Sequence, residues 1–147
     1  MAAAITVAVF IGMVASGCLR STTVTEGQPA HMTAPIAEDR EAWSAAVCTN
    51  GSVSKLSSGQ IRFPNVENFA SCMSKISGAG GGVVPIIIGE WPDEPTMRQD
   101  LAHYRMIHYV ASAELGDAVI VFAPSGDNSP TTIEPLQQFG FRIEPLH

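Results

Sequence analysis

Asp100 and His103 are the pair of side chains whose types and spacing could perform acid–base chemistry. Residues three positions apart on a helix are neighbours on its surface, so Asp100 could orient His103 as a base. The chain contains no GxSxG nucleophile motif and no HExxH zinc motif. His103 and His108 are five residues apart, which turns them about 140° from each other on a helix. The pair is therefore a catalytic candidate without a nucleophile, and no metal site is predicted.

A second group of candidate side chains occurs in GEWPDEP, where Glu90, Asp93 and Glu94 surround Trp91. Carboxylates beside an aromatic ring can serve glycoside hydrolysis or bind a cation. Acidic residues that directly precede a helical pattern also interact favourably with the helix dipole. We favour this second interpretation, in which the carboxylates start a helix and Trp91 covers the edge of the core.

Two loops have the composition of ligand-binding segments. GAGGG, Gly78–Gly82, has the backbone amides that cradle phosphates, but a strand pattern, VVPIIIGEW, follows it instead of preceding it. It is predicted to be a helix-to-strand connection, and no nucleotide or other cofactor is assigned. SGDNS, Ser125–Ser129, follows a strand pattern and precedes a helix pattern, the position at which open α/β sheets bind ligands. We therefore expect a pocket there.

Three cysteines, Cys18, Cys48 and Cys72, constrain the compartment. An exported chain with three cysteines has one left over, which is a liability unless it is modified. If Cys18 is modified, Cys48 and Cys72 can pair and close a loop of about 25 residues, which the loop-entropy model values at roughly 3 to 4 kcal/mol. Alternatively, Cys48 or Cys72 is a nucleophile or a metal ligand, although the chain has no CxxC motif and no histidine near either residue.

The N-terminal segment from Ala2 to Gly17 is uncharged and mainly apolar. It is shorter than the about 20 residues of a transmembrane helix and is typical of a signal peptide. Ala15, Ser16 and Gly17 precede Cys18, and this pattern resembles the lipobox of bacterial lipoproteins. The resemblance implies that residues 1–17 are removed and that Cys18 becomes a diacylated N-terminus. Two alternatives stay open: an ordinary signal peptidase releases a secreted protein, or the segment remains as an uncleaved membrane anchor.

Residues 18–37 are rich in Thr, Pro and small residues and lack periodicity, which predicts a flexible tether. Residues 38–147 are predicted to form a single domain. It starts with a helix over 38–48 that ends at the turn pair Asn50-Gly51. A strand over 61–63 and a helix over 65–76 are predicted to follow. In that arrangement a Cys48–Cys72 disulfide would join two helices.

The rest of the domain alternates strand and helix patterns. The predicted elements are a strand over 83–91 buried on both faces, a long helix over 95–114, a strand over 117–124, a short helix over 134–139 and a strand over 141–144. Gly140 suits the cap that ends the short helix. In the long helix His108 is expected on the apolar face, as a packed structural residue. This order predicts an α/β or α+β fold, with a three- to four-stranded mixed or parallel sheet, helices packed on it and one disulfide.

The negative net charge argues against nucleic acid and anionic lipid surfaces as partners. The formal net charge is −6, and the eight Lys and Arg residues are scattered singly along the chain. Nucleic acid and anionic lipid surfaces repel such a chain unless a local basic patch forms, and the sequence pattern shows no such patch.

The layout resembles that of small secreted proteins and lipoproteins of actinobacteria, particularly of the mycobacterial type. The features that carry the resemblance are a cysteine before PIIIGEW, the long helix after it and PLQQFGF, Pro135–Phe141, all within Cys48–Ile143. The resemblance implies a cell-envelope location and a shared fold, and it assigns no catalytic residue.

We therefore expect a lipid-anchored protein on the extracytoplasmic side of the membrane that binds an envelope protein or component without catalysis. One alternative is a small envelope hydrolase that uses the acidic cluster or Asp100 and His103. Another is a prophage-encoded envelope protein that blocks infection.

Overall fold

A computed structural model describes residues 39–56 and 62–147, and these residues contain one six-stranded sheet. Its strands are β1 (Ser54–Lys55), β2 (Glu67–Met73), β3 (Pro85–Trp91), β4 (Tyr109–Leu115), β5 (Ala118–Pro124) and β6 (Arg142–Pro145). Helix α1 (Arg40–Val47), helix α2 (Glu94–Ala102) and a 3-10 helix (Glu134–Phe139) pack on the sheet. The predicted signal peptide, Cys18 and the predicted tether lie outside the described residues.

The sheet has the order β1-β2-β3-β5-β4-β6, and every neighbouring pair of strands is antiparallel. The α+β class is therefore confirmed, whereas the prediction of a mixed or parallel sheet of three to four strands is wrong. The difference arises at β4, which forms a hairpin with β5 through a turn at Gly116, where φ is +60°. Glycine adopts this backbone conformation without steric cost.

The predicted long helix over 95–114 is wrong in its second half. Helix α2 ends at Ala102, and β4 begins at Tyr109. Four consecutive residues of β4, from Val110 to Ala113, are buried, as occurs in a central strand with helices on both faces of the sheet. The apolar residues whose spacing predicted one long helix belong to two different elements, α2 and β4. His108, expected on the apolar face, lies just before β4 and is exposed.

The predicted helix over 65–76 is also wrong, because most of this segment forms β2. Ala70 and Cys72 are buried and alternate with more exposed residues, which is the period of a strand. The glycine run 78–82 consequently connects two strands, β2 and β3, and not a helix to a strand. The predicted strand over 61–63 does not form at Phe63, and Ile61 lies outside the described residues.

The core lies on both faces of the sheet, because successive residues of β3 and β5 point to opposite sides. On one face, α1 and the 3-10 helix bury Trp43, Val47 and Leu136 against Ile86 and Phe122. On the other face, α2 buries Met97 and Leu101 together with Phe63, Trp91 and Val121. This three-layer arrangement explains why the strands β3 and β5 are continuous apolar runs.

The disulfide between Cys48 and Cys72 is present, with a distance of 5.7 Å between the two Cα atoms. It joins the residue after α1 to β2, so the prediction of two linked helices is corrected while the pairing itself is confirmed. Backbone hydrogen bonds reinforce the same junction, since Lys75 N donates to Val47 O at 2.7 Å and Thr49 N donates to Met73 O at 2.8 Å.

Several other elements agree with the sequence-based predictions. Helix α1 begins after Asp39, whose side chain accepts a hydrogen bond from Ala42 N at 2.9 Å. Strand β3 begins with Pro85, and the first residue of a strand is a position that accepts proline. The 3-10 helix lies at the predicted short helix and ends at Gly140, where φ is +89°. Strand β6 follows it as predicted.

We predict that replacing Cys48 and Cys72 together with serine lowers the free energy of unfolding by about 3 to 4 kcal/mol, because the closed loop restricts the unfolded chain. Urea unfolding of the variant and of the parent protein, with and without reductant, measures this loss. A Cys18→Ser variant should unfold like the parent. A loss below about 1 kcal/mol in the double variant would contradict the structural role of the bond.

Candidate functional site

A groove of about 980 Å³ lies between the first turn of α1 and the sheet edge formed by β1 and β2. Its charged lining residues are Arg40, Glu41, Lys55 and Glu67. Its larger apolar lining residues are Val53, Leu56, Val66, Phe69 and Ile88. Val53 is 44% exposed and Leu56 is 38% exposed. An open concave surface that combines accessible apolar side chains with charged groups suits the docking of another molecule.

A β-bulge shapes the floor of the groove. The pairing of β2 with β3 shifts between Glu67 and Ala70, and within this shift Asn68 has a φ of +48°. Asparagine is one of the few residues with a side chain that tolerate this backbone conformation. The side chain of Asn68 donates a hydrogen bond from Nδ2 to Glu90 Oε2 at 3.0 Å. The bulge thereby directs a polar side chain toward β3 instead of continuing the regular strand.

Glu90 is a nearly buried carboxylate beneath the groove, with 9% of its surface exposed. Its other oxygen contacts the guanidinium group of Arg40, the first residue of α1. A buried carboxylate needs partners of this kind, because burial without them is costly. The Arg40 side chain is 52% exposed. Guanidinium carries five N–H donors, so Arg40 can hold Glu90 and still offer donors to a molecule in the groove.

The sequence alone does not single out this constellation. Glu90 belongs to the acidic cluster, but its partners Arg40 and Asn68 are distant in sequence, and Asn68 falls in a segment with a helix-like pattern. Burial alternates along β2, since Ala70 and Cys72 are more buried than Phe69, Ser71 and Met73, but FASCM has no polar–apolar alternation that could have identified the strand.

Asp100 serves the packing of α2 against β3. Its side chain is buried, and Oδ2 accepts hydrogen bonds from Trp91 Nε1 at 2.9 Å and from Asn65 N at 3.1 Å. Its Oδ1 accepts from Asn65 Nδ2 at 3.0 Å. Three donors converge on one carboxylate, and one of them is the indole of the buried Trp91. Both oxygens of the buried carboxylate are thereby hydrogen-bonded, as buried polar groups require.

His103 is separated from that network. It is exposed, and its Nδ1 lies 2.9 Å from the carbonyl oxygen of Gln99, at the C-terminal end of α2. Asp100 points to β3 and Asn65, whereas His103 contacts the backbone of its own helix. The structure therefore does not join the two candidate residues in a dyad.

The three carboxylates of GEWPDEP have different structural roles. Glu90 lies beneath the groove. Asp93 caps α2, because its side chain accepts from Thr96 N at 2.7 Å. Hydrogen bonds from the side chain and backbone of Thr96 hold the pKa of Asp93 below its usual value. The interpretation of this segment as a helix start is therefore correct for Asp93, and also for Glu94 in the first turn.

Glu94, Arg98, Arg142 and Glu144 form a closed ring of ion pairs that ties α2 to β6. Arg98 Nε lies 2.8 Å from Glu94 Oε1, and Arg142 Nη2 lies 2.9 Å from Glu94 Oε2. Glu144 contacts both arginines and completes the ring. The hydrogen bond from Arg98, together with the charge of Arg142, lowers the pKa of Glu94. All four charges are thus compensated within the ring.

In the loop 125–129 the carboxylate of Asp127 is buried. Asp127 is 2% exposed, and its Oδ1 accepts hydrogen bonds from Ala79 N and Ser129 N, each at 3.1 Å. A side chain at Gly78 would be placed 2.6 Å from Asp127 Oδ2, so glycine is required at that position. The loop 125–129, where a pocket was expected, is thus hydrogen-bonded to the glycine run 78–82.

The chain also contains one SxxK spacing, from Ser52 to Lys55. This spacing brings the two side chains together on a helix, but here it runs from a loop into β1. Ser52 Oγ donates to the carbonyl oxygen of Thr49 at 2.6 Å and accepts from Met73 N at 3.2 Å. Ser52 therefore connects the segment before β1 to the end of β2 through hydrogen bonds.

Within residues 39–56 and 62–147, no group of three or more His, Cys, Asp or Glu side chains is arranged to hold a metal ion. No helix in the same part of the chain combines the length and the apolar character needed to cross a membrane. No family model, curated protein or solved structure matches this chain.

We predict that Asp100→Asn lowers the free energy of unfolding by about 1 to 3 kcal/mol, because the new amide group must face one of the three donors. His103→Ala should change it by less than about 0.5 kcal/mol, as expected for an exposed side chain. Chemical unfolding of the two variants measures both values. An Asp100→Asn protein as stable as the parent would contradict the structural assignment of this carboxylate.

Proposed function

We propose that this protein is a lipid-anchored binding module of the bacterial cell envelope, placed on the extracytoplasmic side of the cytoplasmic membrane. The observation that carries the proposal is the Cys48–Cys72 disulfide. Structural disulfides form and persist mainly in oxidising compartments outside the cytoplasm, so the bond supports export. It also uses two of the three cysteines and leaves Cys18.

Cys18 then fits the role that its sequence context suggests. It follows Ala15-Ser16-Gly17 and an apolar segment of signal-peptide length, as the acylated cysteine of a bacterial lipoprotein does. Acylation removes the remaining thiol and attaches the mature chain to the membrane. A linker over 18–37 would then connect the lipid to α1.

The proposed activity is the binding of an envelope protein or other envelope component in the groove. Support comes from the exposed Val53 and Leu56, the available donors of Arg40 and the neighbouring β1, which is at the edge of the sheet. An edge strand offers unpaired backbone groups, and an accessible apolar groove beside it offers side-chain pockets. The candidate catalytic residues Asp100 and His103 have separate structural contacts, which favours a binding role over hydrolysis.

The mass of the mature protein tests the anchor. We expect wild-type protein extracted from the membranes of an actinobacterial host to begin at Cys18 and to carry the mass of a diacylated residue. Cys18→Ala should lose that mass, because the thioether link that joins the lipid to the chain requires the Cys18 sulfur.

A wild-type protein of unmodified mass in the culture medium would contradict the anchor and support secretion. An N-terminal segment retained in the membrane form would support the uncleaved alternative. The Cys48→Ser/Cys72→Ser variant is the matched control, because it removes two cysteines and should keep the lipid.

A further inference from the structure

One end of the sheet carries three loops that expose apolar side chains. At this end β2 and β5 finish and β3 and β4 begin, and the loops span residues 75–84, 103–108 and 125–131. We call these loops the apolar tip. Val83 is 62% exposed and Met106 is 61% exposed, and Ile76 is 36% exposed. Exposed apolar side chains indicate an interaction surface where they form one contiguous patch.

The three loops are fixed to one another and form one surface. Gly126 N donates to Met106 O at 2.7 Å, and the neighbouring Asp127 accepts from Ala79 N at 3.1 Å. The loop after β2 is closed at its base, where Ser74 N donates to Val84 O at 2.7 Å. Val83 and Met106 therefore belong to one tip whose backbone is held by the buried Asp127.

The charge of the tip differs in sign from that of the whole chain. Residues 76–89 contain no charged side chain, although the formal net charge of the protein is −6. Apart from histidines, the charged residues of the three loops are Lys75 and Arg105, which are exposed, and Asp127, which is buried. The fold thus places two cations at this end of the sheet, although Lys75 Nζ also donates to Ala45 O at 3.2 Å and so has two N–H donors left.

We propose that the apolar tip contacts the surface of an anionic lipid bilayer, with Val83 and Met106 in the headgroup region and Lys75 and Arg105 beside lipid phosphates. Apolar side chains flanked by cations are the general means by which proteins bind such an interface. The inference rests on the proposed lipid anchor, which holds the domain at the membrane and makes a weak second contact effective.

The geometry of the chain permits this contact. Helix α1 begins at the other end of the sheet, because Arg40 contacts Glu90 and β3 runs from the tip toward Glu90. A seven-residue strand is roughly 23 Å long. If residues 18–37 form the predicted tether, a flexible chain of 20 residues would span about 25 Å, which would let the lipid and the tip reach the same membrane.

The test measures how fast hydrogen peroxide oxidises Met106 in the mature wild-type protein. The protein is reconstituted in vesicles of 30% phosphatidylglycerol and 70% phosphatidylcholine, and peptide mass spectrometry follows the oxidation. Val83→Asp places a charge on the tip, and Val53→Asp makes the same change in the groove. We expect Met106 to be oxidised at least fivefold more slowly in wild type and Val53→Asp than in Val83→Asp. Arg105→Glu, which keeps all apolar groups, should also accelerate the oxidation.

Equal oxidation rates in wild type and Val83→Asp would overturn the proposal. Protection that persists without vesicles and rises with protein concentration would also overturn it, because a second protein chain would then cover the tip. The intact mass of the same samples reports the lipid separately. Loss of the lipid mass contradicts the proposed function, whereas unprotected Met106 in a lipid-bearing protein contradicts the tip contact alone.

Discussion

The disulfide between Cys48 and Cys72 is the constraint on which the arrangement of the site depends. Helix α1 has eight residues, and an isolated helix of that length is not stable in water. The bond fixes its C-terminal end to β2, and Trp43 and Val47 then bury its inner face against the sheet. Its first residue, Arg40, can reach Glu90 because the other end is held. The groove between α1 and the sheet edge follows from this fixed position.

The sequence predicted the elements that are dominated by a single strong pattern. The apolar runs of β3 and β5 indicate strands, and Gly140 marks the end of the short helix. The sequence misled at β2 and β4, whose apolar residues happen to fall at helical spacing. Both contain small residues that fit strands and helices alike, and cross-strand pairing with β3 and β5 decided between them. The antiparallel topology follows from these two strands.

Of the features around the candidate site, the sequence predicted only the disulfide, for which a count of the cysteines was the main evidence. The correct Cys48–Cys72 pair followed from an odd count of three together with the expectation that Cys18 is the modified cysteine. The groove depends on a β-bulge, on the left-handed backbone of Asn68 and on a contact between Arg40 and Glu90, which lie 50 positions apart in the chain. No local pattern specifies such a contact. For the same reason, Asp100 and His103 had a suggestive spacing, yet their environments in the folded domain differ completely.

We propose that the groove is the surface through which an anchored module binds its partner. The most direct measurement is the affinity of peptides selected from a displayed random library against the full-length protein, determined for wild type and for Val53→Asp and Val83→Asp. We predict that Val53→Asp raises Kd at least tenfold, because it places a charge in the apolar groove, and that Val83→Asp leaves Kd unchanged. Equal affinity of all three proteins, or a selection that yields no binder, would contradict the assignment of the groove.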